Sequence, residues 1–469
     1  MATARIPQPA ADEPVWFRQG LFASVTEEVT AFDLPVTGRI PPELNGRYLR
    51  NGPNFMRGID DRKNHWFLGS GMVHGVRLRN GRAEWYRNRW IRSKAVAEAL
   101  GEKWRKGPIH DHDFAANTHI PAHAGRILAT VEGGSLPYEM SDELNTVGPY
   151  DFAGALPAGF AAHTKTDPQK GELHAVAYSY RQDHVQHIAI DKTGKVSRIT
   201  EIAVRDKPMM HDFALTEKYV VLYDLPVTFS LDAAKAGRFP YVWNPAHEAR
   251  VGLLSREDSS RGTRWFPVEP CFVFHTLNAY DDGDRVCVDV CRYAGRYDVS
   301  LMTGPGPVTL DRWTIDSVSG KVTLRSVCDR FFQEFPRVDD RAISRPHRYG
   351  YTTAFKELQD NVVAVTAGNS PAGCGHTSGN VLLKHDFESG AVEEHRFEHG
   401  AAGEAVFAPA SLSAGEDEGY LMAYAHDLDG GRTDLVILAA QDFAGEPVAR
   451  IHLPSRVPLG FHGSWIADS

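Results

Sequence analysis

Four histidines in this sequence share one local setting. They occur in "FAAHTKTDP" (His163), "PMMHDFALTE" (His211), "FVFHTLNAYDDGD" (His275) and "LGFHGSWI" (His462), each after apolar residues and before a small polar or turn-forming stretch. Neutral imidazole suits Fe(II), Zn(II) or Cu(II), so the pattern raises metal chemistry. A ligating imidazole usually donates its other N–H to a carboxylate or carbonyl, which fixes its tautomer and orientation. Three glutamates lie on apolar, strand-like runs, where a carboxylate is costly to bury unless paired. They are Glu132 in "ILATVEGGSLPYE", Glu334 in "FFQEFPRV" and Glu404 in "AAGEAVFAP", and they are the candidate partners of the imidazoles.

Other reaction classes find no foothold. There is no G-x-S-x-G elbow, Walker loop or G-x-G-x-x-G, and "GSGMVHG" has the wrong spacing in a strand-rich region. The five cysteines, Cys271, Cys287, Cys291, Cys328 and Cys374, form no metal-like or disulfide framework. Cys287 and Cys291 are expected on one face of a strand as packing residues.

The elements that could bring the four histidines together follow from the rest of the pattern. Short apolar or alternating runs joined by glycine-containing turns recur from about residue 35, as in "IAIDKTGKVSRITEI", "WTIDSVSGKVTLRSV" and "LLKHDFESGAVEEHRF". So many strands need an architecture that hides their edges, and radial repetition into a propeller does that. A histidine at the inner end of a strand can then face the axis, so gaps of 48, 64 and 187 residues between the four are no obstacle. Helical patterns are few. "SKAVAEALGEKW" and "SLDAAKAGRFPYVWNP" read as insertions over one face of the sheets.

The 469 residues carry a net charge of −9 and 42% hydrophobic residues. That balance speaks for a globular chain with a sizeable core and against a nucleic-acid partner, which needs a concentrated basic surface. No apolar run reaches the roughly 18 residues of a spanning helix, and the N-terminal segment lacks an apolar core of the signal type. A cytoplasmic protein is the expectation. Shallow contact with a membrane surface is left open by the aromatic-rich inserts.

Taken together, "GRIPPELNGRYLRNGPN", "HWFLGSGMVHG", "RNRWIRS", "VEGGSLPYE", "AAHTKTDPQKGELHA", "MHDFALTEKYVV", "EFPRVDDR" and "FHGSW" make the chain resemble the carotenoid cleavage oxygenases over roughly residues 25–467. The resemblance implies an all-β, seven-bladed propeller with a helical and loop cap over the face carrying the active site. It implies an N-terminal extension over 1–24 and a single domain with cap insertions over 25–469. It further implies one Fe(II) per chain on the axis, held by His163, His211, His275 and His462, with Glu132, Glu334 and Glu404 orienting three of the four. O2 would be the co-substrate, with no organic cofactor. Thr118 in "ANTHI" matches a threonine near the iron in some members.

The implied reaction is cleavage of an alkene C=C of a carotenoid or apocarotenoid to aldehyde or ketone products. Stilbene-cleaving members carry a lysine just before the first orienting glutamate, where this chain has Val131. That departure favours an apolar polyene over the alternative, a hydroxystilbene or vinylphenol. Phe55, Phe67, Trp90 and Val131 are candidates to line the substrate tunnel, with ordinary core packing the alternative for the three aromatics. A third reading, a ligand-binding propeller without turnover, gives no reason for the full histidine set.

Overall fold

The computed structural model describes residues 16–468 apart from positions 62, 111, 301, 303, 305, 356–379, 399 and 428–430. Cys374 therefore lies outside the described residues; the other four cysteines are free and buried, Cys287 and Cys291 both on the strand Arg285–Ala294.

The repeated hairpins share a turn chemistry. Asp191 Oδ1 accepts from Thr193 N and Lys195 N at 2.8 and 3.1 Å, Asp316 Oδ1 from Val318 N and Ser319 N at 2.9 and 2.8 Å, and Asp386 Oδ1 from Glu388 N and Ser389 N at 2.9 and 3.2 Å. An aspartate that bonds backbone groups two to four residues on makes a tight turn, and a left-handed residue lets the chain reverse. Gly194, Gly320 and Gly390 supply that residue, at φ +86°, +76° and +74°.

Seven antiparallel sheets succeed one another as the blades of a propeller. Each turns one edge strand to the axis, which in the closing blade is the last strand, Gly463–Ala467, and neighbouring sheets pack face to face. One large core cluster joins Val221, Leu253, Val288, Leu310 and Leu383 from successive sheets. The ring closes twice. The strand Gly463–Ala467 pairs with Gly46–Asn54, Arg50 opposite Gly463, so the last strand of the chain completes a blade begun by the first hundred residues. Next to it, Val36–Gly38 pairs with Ala449–His452. Phe17 and Phe22 pack on Trp66, Leu459 and Phe461.

The insertions are short. A helix over Lys94–Ala99 is capped by Ser93, whose Oγ accepts from Val96 N at 3.3 Å. A second, Leu231–Lys235, is capped in the same way by Ser230. It connects a two-stranded insert, Val227–Phe229 with Tyr241–Trp243, that stands outside the blades. Among the described residues, no helix is long and apolar enough to cross a membrane.

Candidate metal centre

His163 stands just before the inner strand Thr164–Thr166, His211 just before Ala214–Leu215, and His462 just before Gly463–Ala467. His275 lies inside Cys271–Asp282, where the pairing register slips between Val273 and Thr276. Such an irregularity re-aims a side chain, and here the slip brackets the histidine. The four rings converge, with one nitrogen of each within 4.8 Å of the others. His163, His211 and His462 are buried and His275 is half-buried.

Each glutamate expected behind a histidine stands at the outer nitrogen of one. Glu132 Oε2 is 2.7 Å from His211 Nδ1, Glu334 Oε2 is 2.5 Å from His275 Nδ1, and Glu404 Oε1 is 2.9 Å from His462 Nδ1. With Nδ1–H donating to a carboxylate, Nε2 is left with a lone pair. The inner nitrogens face one another: His163 Nε2 is 3.0 Å from His211 Nε2, which is 3.3 Å from His275 Nε2. Nitrogen lone pairs pressed together repel unless a cation sits among them, so the donor set fits a metal ion taking four neutral imidazoles. Burial, and then the charges of the neighbouring histidines, hold His163 and His462 well below the ordinary histidine range, which keeps both neutral. Burial also pulls down on His211, but the carboxylate of Glu132 outweighs it and the net shift is upward.

The glutamates are themselves held. The Tyr293 hydroxyl donates to Glu334 Oε1 at 2.8 Å, and Tyr178 lies near Glu132, burial and then that carboxylate raising its pKa well above the ordinary tyrosine value. Glu404 Oε2 accepts from Gly463 N at 2.7 Å, with the Arg337 guanidinium 3.5 Å from its other oxygen. Gly463 has a tight neighbourhood: a Cβ there would lie 2.8 Å from the Leu49 carbonyl oxygen. Phe335, next to Glu334, has φ +54°, a left-handed conformation that costs a bulky residue on the order of 1–3 kcal/mol. Its ring stacks on His275 at 5.7 Å and meets His462 edge-on at 5.4 Å, so the strained backbone delivers an aromatic wall beside the cluster.

Two cavities reach the histidines. The smaller, about 200 Å³, is walled mainly by aromatic and aliphatic side chains. Phe67, Thr118 and Val131 are among them, with His211, His275 and His462 at its inner end. The larger, about 340 Å³, follows the inner strands past the cluster and carries Lys165, Asp212, Arg337 and Asp340. Its charged walls make it the wrong solvent for an apolar ligand, so the smaller cavity is the binding candidate.

Phe55 and Trp90, expected at the tunnel, line neither cavity. Phe55 stacks on Phe17 at 5.1 Å beneath the Arg18 guanidinium, and Trp90 packs with Met72 and Val96. Aromatic character gave no information about which way those rings point. Thr118 is buried, its carbonyl accepting from His462 N at 3.1 Å. Sequence reasoning passed over Tyr178, Tyr293, Phe335 and Arg337. It also passed over His119, whose ring lies 5.7 Å from that of His462 and whose Nε2 is 3.2 Å from the Gly463 carbonyl. "EFPRVDDR" and "ANTHI", quoted for other residues, contained Phe335, Arg337 and His119.

The comparisons with known proteins point the same way. The family model for "Retinal pigment epithelial membrane protein" (RPE65) matches residues 22–467. A Mycobacterium tuberculosis protein named carotenoid cleavage oxygenase is 42% identical, over 97% of this chain and 98% of its own. The structure of Pseudomonas brassicacearum lignostilbene dioxygenase superimposes with a TM-score of 0.85 at 28% identity, over 97% of this chain and 99% of that one. A variant of Synechocystis apocarotenoid oxygenase gives a TM-score of 0.82 at 27% identity, covering 97% and 98%. With a family model that spans nearly the whole sequence and a relative of this identity, the chain belongs to the RPE65 and carotenoid cleavage oxygenase family.

Proposed function

We propose that this protein is an Fe(II)-dependent dioxygenase that splits one C=C of a carotenoid or apocarotenoid, both atoms of O2 entering the two carbonyl products. The observation that carries the reading is four facing imidazoles, three backed by carboxylates, at the inner end of an apolar cavity. Bound by His163, His211, His275 and His462, the iron would supply oxygen activation without an organic cofactor. The chain supplies the rest. Glu132, Glu334 and Glu404 hold the Nδ1 protons and so present Nε2 inward. Phe67, Phe274, Phe335 and Phe461 wall the cavity, excluding water and restricting which double bond reaches the inner end.

The similarity to lignostilbene dioxygenase keeps a hydroxystilbene as the second reading. Val131 in the cavity wall counts against it, because an aliphatic side chain offers nothing to a phenolic oxygen. Exposed Ile109 and Leu231 lie on the inserts that also supply His112 and Phe239 to the cavity. A cytoplasmic protein that takes its substrate from a membrane surface through those inserts is part of this proposal. The test is direct: iron-loaded protein under air, given an apocarotenal and, separately, a hydroxystilbene. Aldehyde from the apocarotenal is expected. Turnover of the stilbene alone selects the second reading, and no carbonyl product from either overturns both.

A further inference from the structure

The wall of the apolar cavity carries five hydroxyl-bearing side chains: Thr118, Tyr178, Tyr180, Tyr241 and Tyr293. Four are committed. Thr118 donates to Asn117 Oδ1 at 3.1 Å, Tyr293 donates to Glu334 Oε1 at 2.8 Å, the Tyr180 hydroxyl accepts from Arg181 Nε at 3.2 Å, and Tyr178 lies near the Glu132 carboxylate. The Tyr241 hydroxyl is buried with no hydrogen-bond partner among the described residues.

The ring that carries this hydroxyl is packed among other aromatic rings. Tyr241 opens the strand Tyr241–Trp243 of the two-stranded insert, opposite Phe229. Its ring is met edge-on by Tyr178 at 5.7 Å and by Phe229 at 5.9 Å, with Phe239 at 6.1 Å. Burial, with Glu132 nearby, raises its ionisation far above the ordinary tyrosine value, so the group stays protonated. A buried hydroxyl without a partner is unfavourable, and phenylalanine would fill nearly the same volume without that penalty. An orphan of this kind, 6% exposed and in the wall of a ligand cavity, is one that a ligand can satisfy.

We propose that the Tyr241 hydroxyl is a specificity-determining group of this cavity, pairing with an oxygen on the substrate. The preferred class is then an apolar conjugated molecule bearing a carbonyl or hydroxyl, not a pure hydrocarbon. The proposal rests on the reading that a conjugated alkene fills the cavity. A hydrocarbon would press against Tyr241 and leave the hydroxyl unpaired, whereas an oxygenated ligand removes that penalty; sites that must pair a buried polar group discriminate in this way.

The test is binding to the metal-free protein, read by quenching of tryptophan fluorescence in wild type and Tyr241→Phe. The ligands are two matched pairs: an apocarotenal with a hydrocarbon polyene of equal length, and 4-hydroxystilbene with unsubstituted stilbene. Wild type should prefer the oxygenated member of a pair by about tenfold, the worth of one net hydrogen bond. Tyr241→Phe should erase that preference by weakening only the oxygenated ligand, and its unchanged affinity for the hydrocarbon shows an intact cavity. The pair in which this happens identifies the source of the oxygen. Equal losses for both members of each pair, or a preference that survives in the variant, would overturn the proposal. Turnover by iron-loaded wild type, assayed in parallel, tells the two readings apart: no carbonyl product sinks the dioxygenase reading and leaves the binding comparison interpretable.

Discussion

An imidazole offers a metal one nitrogen and leaves the other to the protein, and in this site the protein's hold extends one residue further. Tyr293 fixes Glu334, which fixes His275. Replacing Tyr293 with phenylalanine removes the donor to Glu334 Oε1 and keeps the ring, so the expected outcome is roughly tenfold weaker metal binding, the low end of losses outside the ligand set. Titration of the metal-free variant with Co(II) or Fe(II) checks it, and wild-type affinity would take Tyr293 out of the site. The histidines and glutamates were legible because burying such groups needs a reason that sequence context displays. Tyr178, Tyr293 and Arg337 were not, since a tyrosine on a strand or an arginine after a proline is ordinary until the fold brings it to a carboxylate. The left-handed Phe335 was invisible for a related reason: nothing in "QEFPR" announces a backbone conformation that only the surrounding contacts enforce.

The two-stranded insert that carries Tyr241 is fastened at its base by a charged clasp. His247 places Nε2 2.7 Å from Asp224 Oδ1 and Nδ1 2.9 Å from Asp206 Oδ2, while Arg250 donates to Asp224 Oδ2 at 2.7 Å. Burial pulls His247 down, but the two carboxylates outweigh it and its pKa is raised. A raised folded value means the stabilisation is fully present below the unfolded pKa, about 6.5, and fades as pH rises through the folded one. The difference in Tm between wild type and His247→Gln should therefore be largest at about pH 6 and narrow toward alkaline pH. A pH-independent difference would mean that the clasp works uncharged. At this scale the sequence was read well. Both helical inserts were placed over the right residues: the second starts after Ser230 and stops before Gly237, as its glycine predicted, while the first ends at Ala99, short of the "GEKW" its pattern included. Phe55, just past the end of its strand, and Trp90, at the last position of its strand, lie away from both cavities, a placement that aromatic character in the sequence does not reveal.

The propeller and the candidate centre are one object: inner strands from four blades each present a histidine at the axis, and the blade that closes the ring brings the fourth. A metal that binds only the folded form stabilises it by mass action, about 2.7 kcal/mol at a hundredfold excess over its dissociation constant. Adding Co(II) or Fe(II) to metal-free wild type should raise Tm by several degrees, and a chelator should reverse the shift. His275→Ala should keep the unliganded Tm within a few degrees and lose the shift. A chain ending at Gly460 should lose both, because it lacks His462 and the strand opposite Arg47–Arg50. A Tm shift retained by either variant would contradict the ligand assignment. The closing strand also sets an order of events in the cell. His163, His211 and His275 leave the ribosome long before His462, which follows His275 by 187 residues. Until that strand docks, the nascent chain has three imidazoles and no ring to hold them. The complete donor set is thus a property of the closed ring: the fourth imidazole reaches the other three only when Gly463–Ala467 is paired with Gly46–Asn54.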